Sequence, residues 1–267
     1  MFFRIGGKSL TKIIHCADLH LDSPMETHMT EEQASIRNTE IIHTFLRLTE
    51  YAAKNDVRAV IIAGDMFDGE RIKIRTVDEI LDAIRRTPNV DYLYLAGNHD
   101  GATYAFADHD MPDNLKIFGK EWTTYKYDSV AISGVEICEA NSQSLYLQVP
   151  HENGVVNIVT LHGQVGVVSG VGQVNISKLK NKGIDYLALG HIHTYAEQTL
   201  DGKGIYCYSG CLEGRGFDEC GPKGFVLLTV DSNRIQHEFV PFSRRQLHRV
   251  LVDITGLTKN SEIGQKM

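Results

Sequence analysis

The sequence contains few cysteines, and their spacing argues against the common cysteine-based architectures. There are five in 267 residues, an odd number, and no two of them form a C-x-x-C pair. A disulfide scaffold needs paired cysteines, so these thiols fit a reducing compartment. Cys207 and Cys211 are the one close pair, but no second pair and no nearby histidine completes four zinc ligands. A structural zinc site built on thiolates is therefore disfavoured.

The sequence also lacks the apolar runs that direct a chain into or across a membrane. The beginning, MFFRIGGKSLTKIIHCADLHL, has no apolar stretch between a basic start and a small-residue cleavage site. No run approaches the roughly 18 apolar residues of a membrane-spanning helix. We therefore expect a cytoplasmic protein with no membrane partner.

Basic charge is scarce as well. The net charge is -7 and the isoelectric point is about 5.9, whereas a free-standing nucleic-acid binder usually carries a basic face. Two circumstances would reconcile an acidic chain with a nucleic-acid substrate. Bound metal ions would neutralise several carboxylates, and a partner protein would supply the basic surface.

What is present is an alternation of short apolar runs with helical patterns, which predicts an α/β fold. We expect strands at 12–16, 59–63, 91–96, 155–161 and 186–189, and helices at 31–55, before Pro88, and at 176–182. After His193 the pattern is strand and turn, at 197–200, 205–208, 225–230 and 234–242, which predicts a second sheet. The predicted architecture is a four-layer α-β-β-α sandwich of two mixed sheets. We place one domain at 1–243, followed by the start of a C-terminal extension or tail at 244–267.

Metal-ligand residue types gather where the predicted strands end. The segments are ADLHLD at 17–22, AGDMFD at 63–68, AGNHD at 96–100, LHG at 161–163 and GHIH at 190–193. Loops at the carboxyl ends of strands build the sites of open α/β sheets. The candidate ligands are Asp18, His20, Asp65, Asn98, His162, His191 and His193.

The spacing within these segments suits shared metal ions. Asp18 and His20 are two residues apart, as are His191 and His193, so an extended backbone would point each pair the same way. Asp65 follows a glycine that permits a sharp turn, and its carboxylate could bridge two cations. Carboxylate, amide and imidazole ligands together favour Mn, with Fe or Zn as alternatives. Seven ligands suffice for two divalent ions, which could promote in-line displacement at phosphorus.

The order D-x-H, G-D-x-x-D, G-N-H-D, a lone histidine and G-H-x-H resembles the calcineurin-like metallophosphoesterase superfamily, over residues 13 to about 230. The resemblance implies one metal held by Asp18, His20, Asp65 and His193, and another held by Asp65, Asn98, His162 and His191. It implies that His99 acts in catalysis without binding metal, with Asp100 beside it. Asp100 and Asp68 would orient histidines.

The segments IIHCADLHLDSP, GDMFD, GNHD and YSGCLEGRGFDECGPKGFVLLTVD look like the SbcD-type DNA repair exonuclease branch. That resemblance implies a nuclease subunit that works with an SMC-like ATPase partner. A homodimer is a further hypothesis. Two site assignments stay open at this stage. Asp22 is either a turn former or a residue that orients a ligand, and Arg215 either grips a substrate phosphate or is an ordinary exposed side chain.

Two other functions remain alternatives. A phosphodiesterase or phosphatase for small nucleotides or other phosphoesters would use the same metal site, and the acidic net charge leans towards it. A non-catalytic scaffold would be expected to have lost ligands or His99, and the sequence retains all of them.

Overall fold

The computed structural model describes residues 10–23, 25, 29–69, 72–98, 100, 106, 109–256 and 260–266. Within these residues the chain forms two six-stranded mixed sheets and one two-stranded sheet. The two large sheets pack face to face. Their facing side chains form an apolar layer that includes Ile13, Ile61, Leu93, Ile158 and Tyr186.

The first sheet has the strand order β14-β13-β1-β2-β3-β4. Strands β1 (Thr11–Cys16), β2 (Val57–Ala63), β3 (Asp91–Leu95) and β4 (Leu115–Ile117) run parallel. Strands β13 (Gly224–Asp231) and β14 (Arg234–Pro241) complete it as antiparallel neighbours. Apart from Arg58, every residue of β2 and β3 is buried, as expected for parallel strands that are covered on both faces.

The second sheet has the strand order β11-β12-β10-β7-β6-β5. Strands β6 (Val130–Gly134), β7 (Val156–His162), β10 (Tyr186–Gly190) and β12 (Ile205–Tyr208) run parallel. Antiparallel strands β5 (Thr123–Tyr127) and β11 (Ala196–Thr199) form its edges. A small parallel pair, β8 (Gln164–Gly166) and β9 (Gln173–Asn175), follows β7.

Two helices cover the outer face of the first sheet. Helix α1 (Glu31–Lys54) begins with a capping box, in which Thr30 accepts a hydrogen bond from the Gln33 amide and the Gln33 side chain accepts one from the Thr30 amide. Helix α2 (Ile74–Arg85) packs beside it. Both contribute their apolar stripes to one core cluster with alternate residues of β1, β2 and β3.

Shorter elements cover the outer face of the second sheet. They are a 3₁₀ helix (Leu145–Gln148) and the single turn α3 (Ile176–Leu179), which contact side chains of β7 and β10. Helix α4 (Asn260–Lys266) is the last described element. Across the described residues, no helix is long and apolar enough to cross a membrane.

The predicted sandwich of two mixed sheets is confirmed, but one prediction about its strand order was wrong. The strands after His193 do not form the second sheet by themselves. Strands β11 and β12 join it, whereas β13 pairs antiparallel with β1, with Ile14 opposite Leu227, and brings β14 into the first sheet. The helix predicted at 176–182 is a single turn. The boundary between 1–243 and 244–267 stays a prediction.

Candidate metal centre

The candidate ligands meet at the carboxyl ends of β1, β2, β7 and β10, where the two sheets face each other. The loop after β1 runs beside the loop after β2. The amides of Asp18, His20 and Leu21 donate to the carbonyls of Gly64, Asp65 and Met66, at 3.0, 3.0 and 2.9 Å. These three hydrogen bonds place the first two predicted ligands directly against the third.

The backbone at the site is strained, which corrects one prediction. We expected Asp18 and His20 to point the same way along an extended strand, but both adopt positive φ angles, 51° and 45°. Asp65 and His191 also have positive φ, at 51° and 105°. Such conformations are unfavourable for residues with a Cβ and persist where the surrounding structure fixes them. Here the paired loops fix them and turn the side chains towards one another.

One group of ligand atoms consists of Asp18, His20 and His193, which lie within 4.8 Å of one another. The Nε2 atoms of the two histidines are 3.2 Å apart, and His193 Nε2 is 4.0 Å from Asp18 Oδ1. Two histidine nitrogens that share one ion, each about 2.1 Å from it, lie roughly 3 Å apart. The spacing of this group therefore fits a single metal ion.

A second group consists of Asp18, Asp65 and His162. His162 Nδ1 is 2.8 Å from the carbonyl oxygen of Ala63, to which it donates, so Nε2 carries the lone pair of the neutral ring. That buried Nε2 lies 3.4 Å from Asp65 Oδ2 and has no hydrogen-bond partner within the described part of the chain. A Cβ on Gly64 would stand 1.9 Å from His162 Nδ1, so only glycine allows this approach.

Asp65 belongs to the second group and also lies near the first. Its Oδ2 is 3.9 Å from His20 Nε2 and 3.4 Å from His162 Nε2. This is the position that a bridging carboxylate would need, although bridging itself stays a prediction. Gly97 makes room for the carboxylate, since a Cβ there would lie 2.1 Å from Asp65 Oδ1.

Asp18 belongs to both groups, whereas the sequence resemblance implied that it serves one metal. Both of its carboxylate oxygens accept from the His191 amide, at 2.9 and 3.0 Å. Burial raises the pKa of Asp18 to about 6, opposed by His162 and His193 and reinforced by Asp65. The carboxylates of Asp18 and Asp65 are each only 1% exposed. Burying two negative charges costs free energy unless cationic charge compensates them. The chemistry of the donor set therefore fits bound cations.

Asn98 and His191 lie at the open side of the centre. Asn98 is exposed, and its Nδ2 atom is 3.4 Å from His191 Nδ1. The rings of His191 and His162 meet edge to face, with centroids 5.5 Å apart. The structure thus brings both residues to the second group, and their roles as ligands stay predictions.

Sequence reasoning missed Glu219. This buried carboxylate lies 2.6 Å from His193 Nδ1 through Oε1 and therefore accepts its proton. Burial would raise the pKa of Glu219, but His193 and Arg215 outweigh it and hold the pKa at about 2. A carboxylate at Nδ1 fixes the tautomer of a ligand histidine and raises its basicity. Glu219 lies in a segment that carries the family resemblance, but no local sequence pattern connects it with His193, 26 residues earlier.

Arg215, for which binding of a substrate phosphate and ordinary exposure were the two open assignments, has its guanidinium engaged within the protein. Nη1 donates to Asp68 Oδ2 at 3.0 Å and Nη2 to Glu219 Oε1 at 3.1 Å. Asp68 also accepts from the Ser23 hydroxyl and lies 3.8 Å from His20 Nδ1. These contacts place Asp68 beside His20, and its role in orienting that histidine stays a prediction. For Arg215 they favour a supporting role over substrate binding, which stays untested.

Asp100 was predicted to act beside His99 and to orient a histidine. The Asp100 carboxylate accepts from the backbone amides of Met66, Phe67 and Gly97, at 3.2, 2.8 and 2.8 Å. It therefore ties the loop after β3 to the loop after β2.

Asp22 accepts two hydrogen bonds from Lys73, one from its amide at 2.8 Å and one from its ammonium group at 2.6 Å. Both serve the start of α2, so the described contacts give no support to a role beside a ligand. His99 lies outside the described residues, so its predicted catalytic role rests on the sequence.

Comparison with known proteins places this geometry in context. The sequence profile of the family described as calcineurin-like phosphoesterase matches residues 11–195. The chain is 25% identical over 260 residues to the uncharacterized metallophosphoesterase YhaO of Bacillus subtilis, covering 91% of this chain and 63% of that protein. It is 28% identical over 213 residues to the DNA double-strand break repair protein Mre11 of Sulfurisphaera tokodaii, covering 73% and 52%.

The fold is similar to that of purple acid phosphatase PPD1 from yellow lupin seeds. The TM-score is 0.55 at 13% identity, over 91% of this chain and 53% of the phosphatase. This likeness concerns the fold alone. The chain spans between about half and two thirds of the length of the two sequence relatives described above.

Proposed function

The chain belongs to the calcineurin-like phosphoesterase family, and on that premise we propose that it hydrolyses phosphodiester bonds of DNA with two divalent metal ions. One observation carries the proposal. Two groups of carboxylate and imidazole ligands share Asp18, and Asp65 of the second group also lies 3.9 Å from His20 of the first. Two adjacent cation positions are the arrangement used for in-line displacement at phosphorus.

The residues divide into two proposed ligand sets. Asp18, His20, Asp65 and His193 would hold one ion, and Asp65, Asn98, His162 and His191 the other, with Mn as the expected metal and Fe or Zn as alternatives. Two bound ions supply charge neutralisation for the phosphate and make water more acidic. In the proposed mechanism His99 donates a proton to the leaving oxygen or stabilises the charge that develops there. Asp100 would support His99, its neighbour in the sequence, through its hydrogen bonds to the amides of Met66, Phe67 and Gly97.

The choice of DNA is supported by similarity to proteins named for double-strand break repair, such as the S. tokodaii Mre11. The same similarity supports an SMC-like ATPase partner, and we add a homodimer and a cytoplasmic location as parts of the proposal. An acidic chain with net charge -7 gains from a partner that supplies a basic surface. The same charge favours the alternative, a phosphodiesterase or phosphatase for small nucleotides or other phosphoesters.

The test is hydrolysis of linear duplex DNA, single-stranded DNA and a generic aryl phosphodiester, each with Mn, Fe or Zn added. We expect Mn-dependent DNA cleavage that falls at least about 100-fold in His99→Ala, the scale of general acid catalysis, and similarly in Asp65→Asn. His151→Ala, which alters an exposed histidine, is the control. Turnover of the small ester alone would favour the alternative, and no turnover with any metal would contradict the enzyme proposal.

A further inference from the structure

The segment between β12 and β13 holds His193 from two sides. Lys223, a buried lysine, donates from Nζ to the His193 carbonyl oxygen at 2.6 Å, and the Cys211 amide donates to the same oxygen at 3.4 Å. Glu219 binds the ring of His193 at Nδ1. The backbone and the imidazole of this one candidate ligand are thus fixed by the same short segment.

Charged side chains extend this support to a second histidine. The order of contacts is His193, Glu219, Arg215, Asp68 and His20. The Arg215 amide also donates to Glu219 Oε2 at 2.7 Å, so this carboxylate is held at both oxygens. A planar guanidinium can bind two carboxylates at fixed angles, which an ammonium group cannot.

His162, in the second ligand group, has a different kind of partner. Its Nδ1 donates to a backbone carbonyl rather than to a carboxylate. A carboxylate makes its imidazole a more basic ligand than a carbonyl does. His193 is therefore supported by a more negative partner than His162.

We propose that Glu219 and Arg215 are positioning residues that raise the metal affinity of the group formed by Asp18, His20 and His193. They act through His193 and, by way of Asp68, through His20. This inference rests on the proposed dinuclear function. It predicts that damage to either residue weakens one metal position and spares the other.

The experiment is a titration of the metal-free protein with Mn²⁺, in which electron paramagnetic resonance and calorimetry measure the binding. It is done for wild type, Glu219→Gln and Arg215→Lys. We expect two bound ions in wild type. In each variant the affinity for one ion should fall about 10- to 100-fold, the usual effect of removing such a partner, while affinity for the other stays the same. Glu197→Gln is the matched control, because Glu197 in β11 also binds a histidine, His237 in β14, at 2.8 Å.

Unfolding in EDTA shows whether each variant is intact, and Arg215→Lys provides a test if Glu219→Gln does not fold. Equal loss of both ions from a folded variant, or wild-type affinity for both, would overturn the inference. Wild-type protein that binds no Mn²⁺ would instead refute the proposed function. The two failures are therefore distinguishable.

Discussion

Replacement of Glu213 by alanine should destabilise the protein strongly, because this carboxylate is only 2% exposed and joins three parts of the chain. Its oxygens accept from the Thr44 hydroxyl at 2.9 Å and from the amides of Arg244 and Arg245 at 2.6 and 3.1 Å. Arg37 on α1 adds an ion pair at 3.4 Å. The site therefore fastens residues 244–245 and the segment after β12 to α1.

The magnitude follows from what the substitution leaves behind. The buried Arg37 would keep one carboxylate partner, Glu40. The Thr44 hydroxyl and the backbone amides of Arg244 and Arg245 would lose their acceptor. Removing one partner of a buried ion pair lowers the free energy of unfolding by about 3 to 5 kcal/mol, because the remaining buried charge and hydrogen-bond donors lose their acceptor. Glu213→Gln keeps the shape and one acceptor, so we expect a loss of about 1 to 3 kcal/mol, that of impaired buried hydrogen bonds.

Urea unfolding monitored by circular dichroism measures both losses, with Glu197→Gln as a carboxylate control outside the network. The denaturant dependence of the unfolding free energy should stay unchanged, since the buried surface does not change. Stability of Glu213→Ala within about 0.5 kcal/mol of wild type, the range of surface substitutions, would refute the reasoning.

Three further predictions concern the centre and the interior. Gly64→Ala should weaken Mn²⁺ binding at least about tenfold, because φ is 96° and the new Cβ would meet His162; calorimetry checks this against Gly202→Ala, whose Cβ meets open space. Burial lowers the pKa of His15 from 6.5 to about 3, so unfolded chains bind the extra proton and stability should fall as pH drops from 6.5 towards 3, by up to about 1.4 kcal/mol per unit. His15→Leu should reduce that slope in urea titrations, and an equal slope would contradict the assignment. Mn²⁺ at 100 times its dissociation constant should add about 2.7 kcal/mol per ion, a melting shift that EDTA abolishes and that Asp18→Asn reduces; the same shift in that variant would count against Asp18 as a ligand.

The sequence by itself determined the fold class and the residue types of the centre. Period-two and period-3.6 patterns depend on neighbours within one element, so they located most strands and both long helices. The candidate ligands were found because each lies at a strand end, and parallel strands bring such ends to one edge. That is why Asp18, Asp65 and His162 could be predicted to meet although they are far apart in the chain.

Only the tertiary structure decided which strands pair and what supports the ligands. An apolar strand such as β13 fits either sheet by its own pattern, and its pairing with β1 depends on the whole packed core. The positive φ angles of Asp18 and His20 arise from hydrogen bonds to the neighbouring loop. The proposed roles of Glu219, Arg215 and Asp68 likewise rest on contacts between distant segments. A local sequence pattern cannot predict such contacts, because their energy comes from groups that become neighbours only when the chain folds.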